Sequence, residues 1–327
     1  MKAAAYIAGL LGLALLAALL IHADLPAMLR TWKLAGGGLL WLIPWRVMFF
    51  VLYAVGWRAL LRPGDPEGRA GFGYVLWVTT VREAVDRLLP VASLGGGVVG
   101  VRLMRWRDLG AVPVSATIIV EILLTVFAMY LLAALAAVIL LGNGATGDHH
   151  EVILMLLLTL PIPVGIPLLL RHGAVFQRLE RFLSPMVGLT SGAEVAAALD
   201  AQLHACLGRW RTLAFAGALQ VVAVVSASLE IWWALRLFDH PVSIASAVML
   251  EGMTQAARHL AFIVPAGLGV QEAALVFFGH TLGISTEMAL AVSAVKRLRE
   301  VLCGVPPLLS WHWLEARRLR ATKAGGT

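Results

Sequence analysis

The sequence predicts an all-α, polytopic membrane protein with about six full transmembrane helices and two re-entrant helical hairpins in an inverted repeat. Three observations predict it. Of 327 residues, 60% are hydrophobic and only 14% charged, with a mean hydropathy of +0.85. Soluble domains run nearer half apolar and about a quarter charged. Several segments also reach the roughly 20 apolar residues that cross hydrocarbon. Finally, two stretches read as helix, Pro/Gly break and helix, with arms too short to span. Such breaks are tolerated in a membrane only where protein or a water-filled cavity surrounds them.

Six segments read as full spans: about 3–21, 36–61, 109–141, 152–170, 212–238 and 287–313. The first resembles a signal-peptide core. It lacks a small-residue cleavage site and more spans follow, so it reads as a retained helix. The third is long enough to tilt. Residues 1–327 form a single integral membrane domain on this reading. Between the fourth and fifth spans, Phe176, Leu179, Phe182 and Leu183 recur at helical spacing beside Arg178, Glu180 and Arg181. Residues 173–207 therefore read as amphipathic helices on the cytoplasmic membrane face, or as an ordinary helical linker.

Loop charge sets orientation. Arg62 and Arg69 follow the second span, and Arg102, Arg105 and Arg107 precede the third. Arg171, Arg178, Arg181, Arg209 and Arg211 lie between the fourth and fifth, and Arg317, Arg318, Arg320 and Lys323 end the chain. The 142–151 loop holds Asp148 and Glu151 and no Lys or Arg. Basic loops stay inside, which places both termini in the cytoplasm; Arg30 and Lys33 are the exception. The net charge of +7 is thus topology information. No basic run with interleaved aromatics suggests nucleic acid. Trp32, Trp41, Trp45, Trp57, Trp106, Trp210, Trp311 and Trp313 fall near span ends, as interfacial belts do. Cys206 and Cys303 suggest neither a disulfide nor a metal site.

The two broken segments are 74–104 and 248–283. They align Pro90 on Pro265, with Gly95 and Gly96 after the first break and Gly267 and Gly269 after the second. Each is followed by a span after a short turn. The expected repeats are about 36–141 and 212–313, with hairpins entering from opposite faces, an arrangement common in secondary transporters. The alternative is chance similarity between two Gly/Pro-rich segments.

Charges in hydrocarbon cost about 2.5–3.5 kcal/mol each on insertion scales, yet several occur here. Arg82 and Asp86 are four apart, as are Glu83 and Arg87, so two helical ion pairs are expected. Arg258 and His259 precede the second break, and Gln271 and Glu272 follow it. Glu121 and Glu230 lie inside spans, and Lys296, Arg297, Arg299 and Glu300 crowd the last. As a functional set these line a polar cavity that attracts an anionic headgroup. As a structural set they are internal salt bridges or snorkelling side chains. Gly95–Gly96–Gly97 lacks a following Lys-Ser/Thr and is no phosphate loop. His149–His150–Glu151 reads as an acidic external loop rather than a metal site. No nucleophile elbow, HExxH or paired-Cys signature is present, so no enzyme, cofactor or metal is expected.

Three motifs carry a family resemblance: RLLPVASLGG at 87–96, the AFIVPAGLGVQEAA run around 260–274, and SAVKRLREVLCGVPPLLSWHWLEARR at 293–318. Together they resemble the transmembrane-region family of lysylphosphatidylglycerol synthases, in particular the stand-alone proteins associated with hopanoid biosynthesis. The resemblance covers essentially the whole chain. It matches Arg82, Pro90, Gly95 and Gly96 in hairpin one, and Pro265, Gly267, Gly269, Gln271, Glu272, Lys296, Arg297, Arg299, Glu300 and Pro306 in the second half. Asp86 departs from the Asn common in the wider family. The resemblance implies a bacterial inner-membrane protein handling lipids, without the aminoacyl-transfer domain of bifunctional relatives. The expected function is translocation of a hopanoid-related or anionic amphiphile. A non-transporting accessory of lipid biosynthesis and, third, a membrane transferase are the alternatives. Membrane lipids, lipid-biosynthesis enzymes and a second copy of the chain are the expected partners.

Overall fold

The computed structural model describes residues 33, 36–89, 95–142, 165, 168–170, 175–178, 192–260, 264 and 267–324. Among them all regular structure is helical, the first finding expected of an all-α membrane protein. The segment 3–21, most of 152–170, the 142–151 loop beyond Gly142, and both Pro90 and Pro265 lie outside the described residues.

After a 3-10 turn over Gly36–Trp41 come α1 (Leu42–Leu61), α2 (Phe72–Leu88), α3 (Gly95–Met104), α4 (Ala111–Gly142), α5 (Gly192–Leu207), α6 (Trp210–Leu237), α7 (Ile244–Leu260), α8 (Val270–His280) and α9 (Thr286–Ala324). Three described stretches are long and apolar enough to cross a membrane: Gly36–Gly64, Ala111–Leu132 and Trp210–Leu237. Their helices are apolar around most of the circumference, as a lipid-facing span requires. Pro44 and Pro113 sit in the first turns of α1 and α4, where the N–H that proline lacks would have no helical partner. The α1–α2 turn closes on Asp65, whose carboxylate accepts from the N–H groups of Arg69 at 2.8 Å and Ala70 at 2.9 Å.

The hairpin arms have matched lengths. α2 and α7 each have 17 residues, while α3 has 10 and α8 has 11. At 1.5 Å per residue the long arms run about 25 Å and the short ones about 15 Å. The first arms thus come close to the thickness of the hydrocarbon core, and the second arms cover about half. α2 ends where Leu89 turns extended, with φ −95° and ψ 147°. The steric demand of a following proline imposes that geometry. Before α8, Gly267 and Gly269 take φ of +61° and +76°, a conformation open to glycine at little cost.

Gly95 to Val270, which open α3 and α8, and Ala111 to Thr286, which open α4 and α9, are both separations of 175 residues. Packing follows the same exchange. α1 packs on α6. α4 packs on α7 and α9 packs on α2, so each hairpin's long arm lies against the closing span of the other half. Among the described residues, two apolar clusters centre on the hairpins, and two others join the halves through Leu60, Ala116 and Ala216 and through Ala128, Leu132, Val224 and Val248. One cluster gathers Trp57, Val75, Val78, Val81, Leu103 and Val114 around hairpin one. Another gathers Ile231, Leu235, Leu250, Leu275, Ile284 and Val292 around hairpin two.

The structure corrects one sequence expectation about exposure. Trp57 is no belt residue: it is fully buried and its indole N–H donates to Thr117 at 3.2 Å. α5, within the amphipathic 173–207 segment, packs on α4 through Leu203 and Cys206, which share a cluster with Leu60 and Ala116. Asp200 of α5 accepts from the Phe176 and Gln177 N–H groups at 3.2 and 3.1 Å. Cys206 and Cys303 are free thiols.

Helix contacts at glycine give a test. A Cβ on Gly96 would collide with the Arg82 carbonyl and the Asp86 carboxylate, whereas one on Gly56 would meet Ala216 at 3.8 Å, an ordinary contact. Gly96→Ala is expected to destabilise by about 1–3 kcal/mol through overpacking. Gly56→Ala should stay within about 1 kcal/mol of wild type. Denaturation midpoints of the purified protein in detergent micelles measure both.

Candidate functional site

Inside the bundle lies a polar chamber. It is lined from five helices of both halves by charged groups: Arg46 of α1, Glu83 and Arg87 of α2, Glu230 of α6, Glu251 and Arg258 of α7, and Lys296, Arg299 and Glu300 of α9. Helical spacing explains the convergence. Glu83 and Arg87 are one turn apart, as are Lys296 and Glu300, and Glu251, Gln255 and Arg258 follow one face of α7. Gln271, at the start of α8, completes the polar lining with Gln255 and Tyr53.

Glu300 is the centre of the network. Its buried carboxylate lies 3.1 Å from Arg297, 3.5 Å from Arg87, 3.6 Å from Arg258 and 3.9 Å from Arg299. Arg87 also pairs with Glu83 at 2.9 Å, and Arg46 reaches Glu83 at 2.5 Å. The Arg46 guanidinium rests 5.2 Å from the ring centres of both Phe49 and Phe50. Arg299 pairs with Glu230. Lys296 pairs with Glu251 at 2.6 Å, and Gln255 donates to the other Glu251 oxygen at 2.6 Å.

A supporting layer lies beside the α8 start. Arg297 donates to Glu272 at 3.0 Å and to the Gly267 carbonyl at 3.2 Å. Ser293 donates to Glu272 at 3.1 Å, and Arg258 donates to Gln271 at 3.3 Å. The sharp turn at Gly267 leaves room for the Arg258 stem, since a Cβ there would come within 3.0 Å of it. Glu272 in the first turn of α8 also faces the positive end of that helix dipole.

The expected Arg82–Asp86 pair does not form. Arg82 turns to Glu121 of α4 at 2.7 Å, with its guanidinium 4.3 Å from the Trp57 ring. Asp86 accepts from the Gly96 N–H at 2.8 Å. The reason is packing: α3 brings a free helix-start N–H to Asp86, and α4 brings a buried carboxylate to Arg82. These three residues fasten hairpin one and do not line the chamber. An analogous link fastens the second half with the sign reversed: Glu251 of the long arm pairs with Lys296 of the closing span. Glu121 and Lys296 are themselves 175 residues apart.

Of the residues expected from sequence, Glu83, Arg87, Arg258, Gln271, Lys296, Arg299 and Glu300 line the chamber. Glu272 and Arg297 stand behind it, and Gly95, Gly96, Gly267 and Gly269 shape the hairpins. Glu230, grouped from sequence with the intramembrane charges, lines the chamber too, whereas sequence reasoning missed Arg46, Tyr53, Glu251 and Gln255 as lining residues. Arg46 carried a signal, an arginine inside an apolar span. So did Glu251 and Gln255, polar groups one turn apart on a hairpin arm.

The chamber holds five cationic and four anionic side chains, an excess of one positive charge if all are ionised. Its open volume is about 30 Å³, room for about two water molecules. A lipid headgroup does not fit in this conformation. Among the described residues no group of three or more His, Cys, Asp or Glu is placed to hold a metal ion.

A family model described as the lysylphosphatidylglycerol synthase TM region matches residues 6–305. The chain belongs to that family. Neither a curated protein nor a solved structure matches the chain.

The Arg82–Glu121 link predicts a non-additive cycle. Arg82→Gln and Glu121→Gln should each destabilise by about 3 kcal/mol, because each strands a buried charge. The double variant should recover at least half of the loss expected from adding the two. Detergent-micelle denaturation of all four proteins reads the coupling.

Proposed function

We propose that this member of the lysylphosphatidylglycerol synthase TM-region family is a lipid translocase of the bacterial inner membrane, with both termini cytoplasmic. It moves an anionic or hopanoid-related amphiphile between leaflets. One observation carries the reading: charges from both halves converge on one buried chamber with a cationic excess. Burying so many ions costs several kcal/mol each and seldom gives net stability over apolar packing. Intramembrane ionisable groups facing a bundle interior mark substrate and ion pathways.

The common 175-residue offset and the exchanged packing of α4 on α7 and α2 on α9 support an inverted repeat. Two such units rocking against each other provide alternating access. The headgroup phosphate then replaces Glu300 as the partner of Arg87, Arg258 and Arg297, while the acyl or polycyclic part stays in lipid. The cycle has no covalent step.

A second reading has its own support. The chamber is small and its charges pair with one another, which suits a non-transporting accessory that holds lipid intermediates for biosynthetic enzymes. The two readings separate in proteoliposomes. Purified protein is expected to accelerate headgroup exchange of an anionic phospholipid or a hopanoid amphiphile well above empty liposomes. Arg258→Gln, folded and equally abundant, is expected to lose about tenfold in rate, the equivalent of one charge-assisted hydrogen bond. Exchange no faster than in empty liposomes across both lipid classes would overturn the translocase reading, and wild-type exchange by Arg258→Gln would remove the chamber from it.

A further inference from the structure

The last helix joins the two halves, and its contacts change sides part-way along. α9 runs unbroken for 39 residues with Pro306 and Pro307 inside it, a length of about 60 Å. Before the prolines its contacts belong to the second half. Ala289, Val292 and Val295 sit in the apolar cluster around hairpin two. Ser293 donates to Glu272 of α8, Lys296 pairs with Glu251 of α7, and Arg299 pairs with Glu230 of α6. After the prolines its contacts belong to the first half. Leu308 and Trp311 pack on the hairpin-one cluster. Ser310 accepts from the Trp77 indole of α2 at 2.8 Å, and Glu315 pairs with Arg102 of α3. Glu300, less than two turns before Pro306, faces both sides, with Arg87 at 3.5 Å and Arg258 at 3.6 Å.

The chemistry of the junction favours bending. Proline has no N–H, so the carbonyls of Leu302 and Cys303 lose the donors that a regular helix would supply from positions 306 and 307. Kinks in long helices fall at such sites. The Ser310 hydroxyl also donates to the Pro307 carbonyl at 2.7 Å, a local back-bond of the kind that bends helices. Just before the prolines, Gly304 is buried against α2: a Cβ there would lie 2.6 Å from a Leu88 methyl. Leu88 is the last residue of α2, so the long arm of hairpin one stops beside the junction. Two helical hydrogen bonds are therefore missing at the level where α9 passes from one half to the other.

We propose that Pro306–Pro307 is the hinge between the halves. When they rock, the part of α9 up to Val305 moves with hairpin two, the part from Leu308 moves with hairpin one, and the helix bends between them. Glu300 then parts from Arg87 and keeps Arg258, which opens the chamber on the hairpin-one side. The hinge rests on the rocking proposed above, and it places the bend that such motion needs. Prolines that serve packing alone would leave α9 a single rod, travelling whole with one hairpin.

The test uses the full chain with Cys206 and Cys303 replaced by alanine, in nanodiscs containing anionic phospholipid. Spin labels are placed in pairs, Leu298 or Trp313 of α9 with Val98 of α3 or Phe277 of α8, all exposed positions. Double electron–electron resonance reads the four distances. The hinge predicts a single distance for Leu298 with Phe277 and for Trp313 with Val98. It predicts two populations for Leu298 with Val98 and for Trp313 with Phe277. Pro306→Ala/Pro307→Ala, which restores both helical hydrogen bonds, should cut the minor population of those two pairs about tenfold or more. If Leu298 and Trp313 keep a fixed distance to the same hairpin while the other hairpin moves, the hinge is overturned and rocking stands. An unchanged minor population in the double alanine protein would also overturn the hinge. A single distance for all four pairs would overturn hinge and rocking together.

Discussion

Everything in this bundle depends on how ionised side chains survive away from water. An isolated buried charge is prohibitively costly, so each must face a partner, and long side chains must meet across helices. Glu300 is the extreme case, one carboxylate shared by four arginines from α2, α7 and α9. That demand fixes the relative positions of three helices more tightly than apolar contact alone, which tolerates sliding. Arg299 with Glu230 adds α6 to the same set, and Arg46 with Glu83 adds α1.

Apolar packing centres on each hairpin and also crosses the halves, joining Leu60 and Ala116 to Ala216, and Ala128 and Leu132 to Val224 and Val248. The ionic network spans the divide. A network that binds two halves through shared, exchangeable partners can trade an internal carboxylate for an external anion without stranding a charge. This property links the packing to the proposed lipid movement. It also explains why the chamber is closed: with internal partners satisfied, there is no reason for it to stay open.

Much of this was legible from sequence. Helical content, the spans around 36–61, 109–141 and 212–238, and the broken segments followed from hydropathy and Pro/Gly placement. The charged run at Lys296–Glu300 pointed to the right place because charge in a span has few innocent explanations. Pairing was less legible. Arg82 and Asp86 fit the one-turn rule, but that rule sees a single helix, and α3 and α4 supplied better partners. Trp57 read as a belt residue because its neighbours in sequence are at a span end; its burial depends on α4 and Arg82, which are distant in sequence. Arg46 and Glu251 stand out in sequence as charges in apolar segments, but their partners do not. Their role exists only once α1, α2, α7 and α9 meet.

The proposed translocation requires the two halves to rock apart and open the chamber. It is tested most directly by the distance between α3 and α8. Spin labels at Val98 and Phe277, both exposed, would be placed in a chain with Cys206 and Cys303 replaced by alanine, and distances measured by double electron–electron resonance in nanodiscs. The account predicts two populations, with the longer one growing when anionic lipid is supplied. A single distance distribution, unchanged by lipid in protein that is moving lipid, would contradict it.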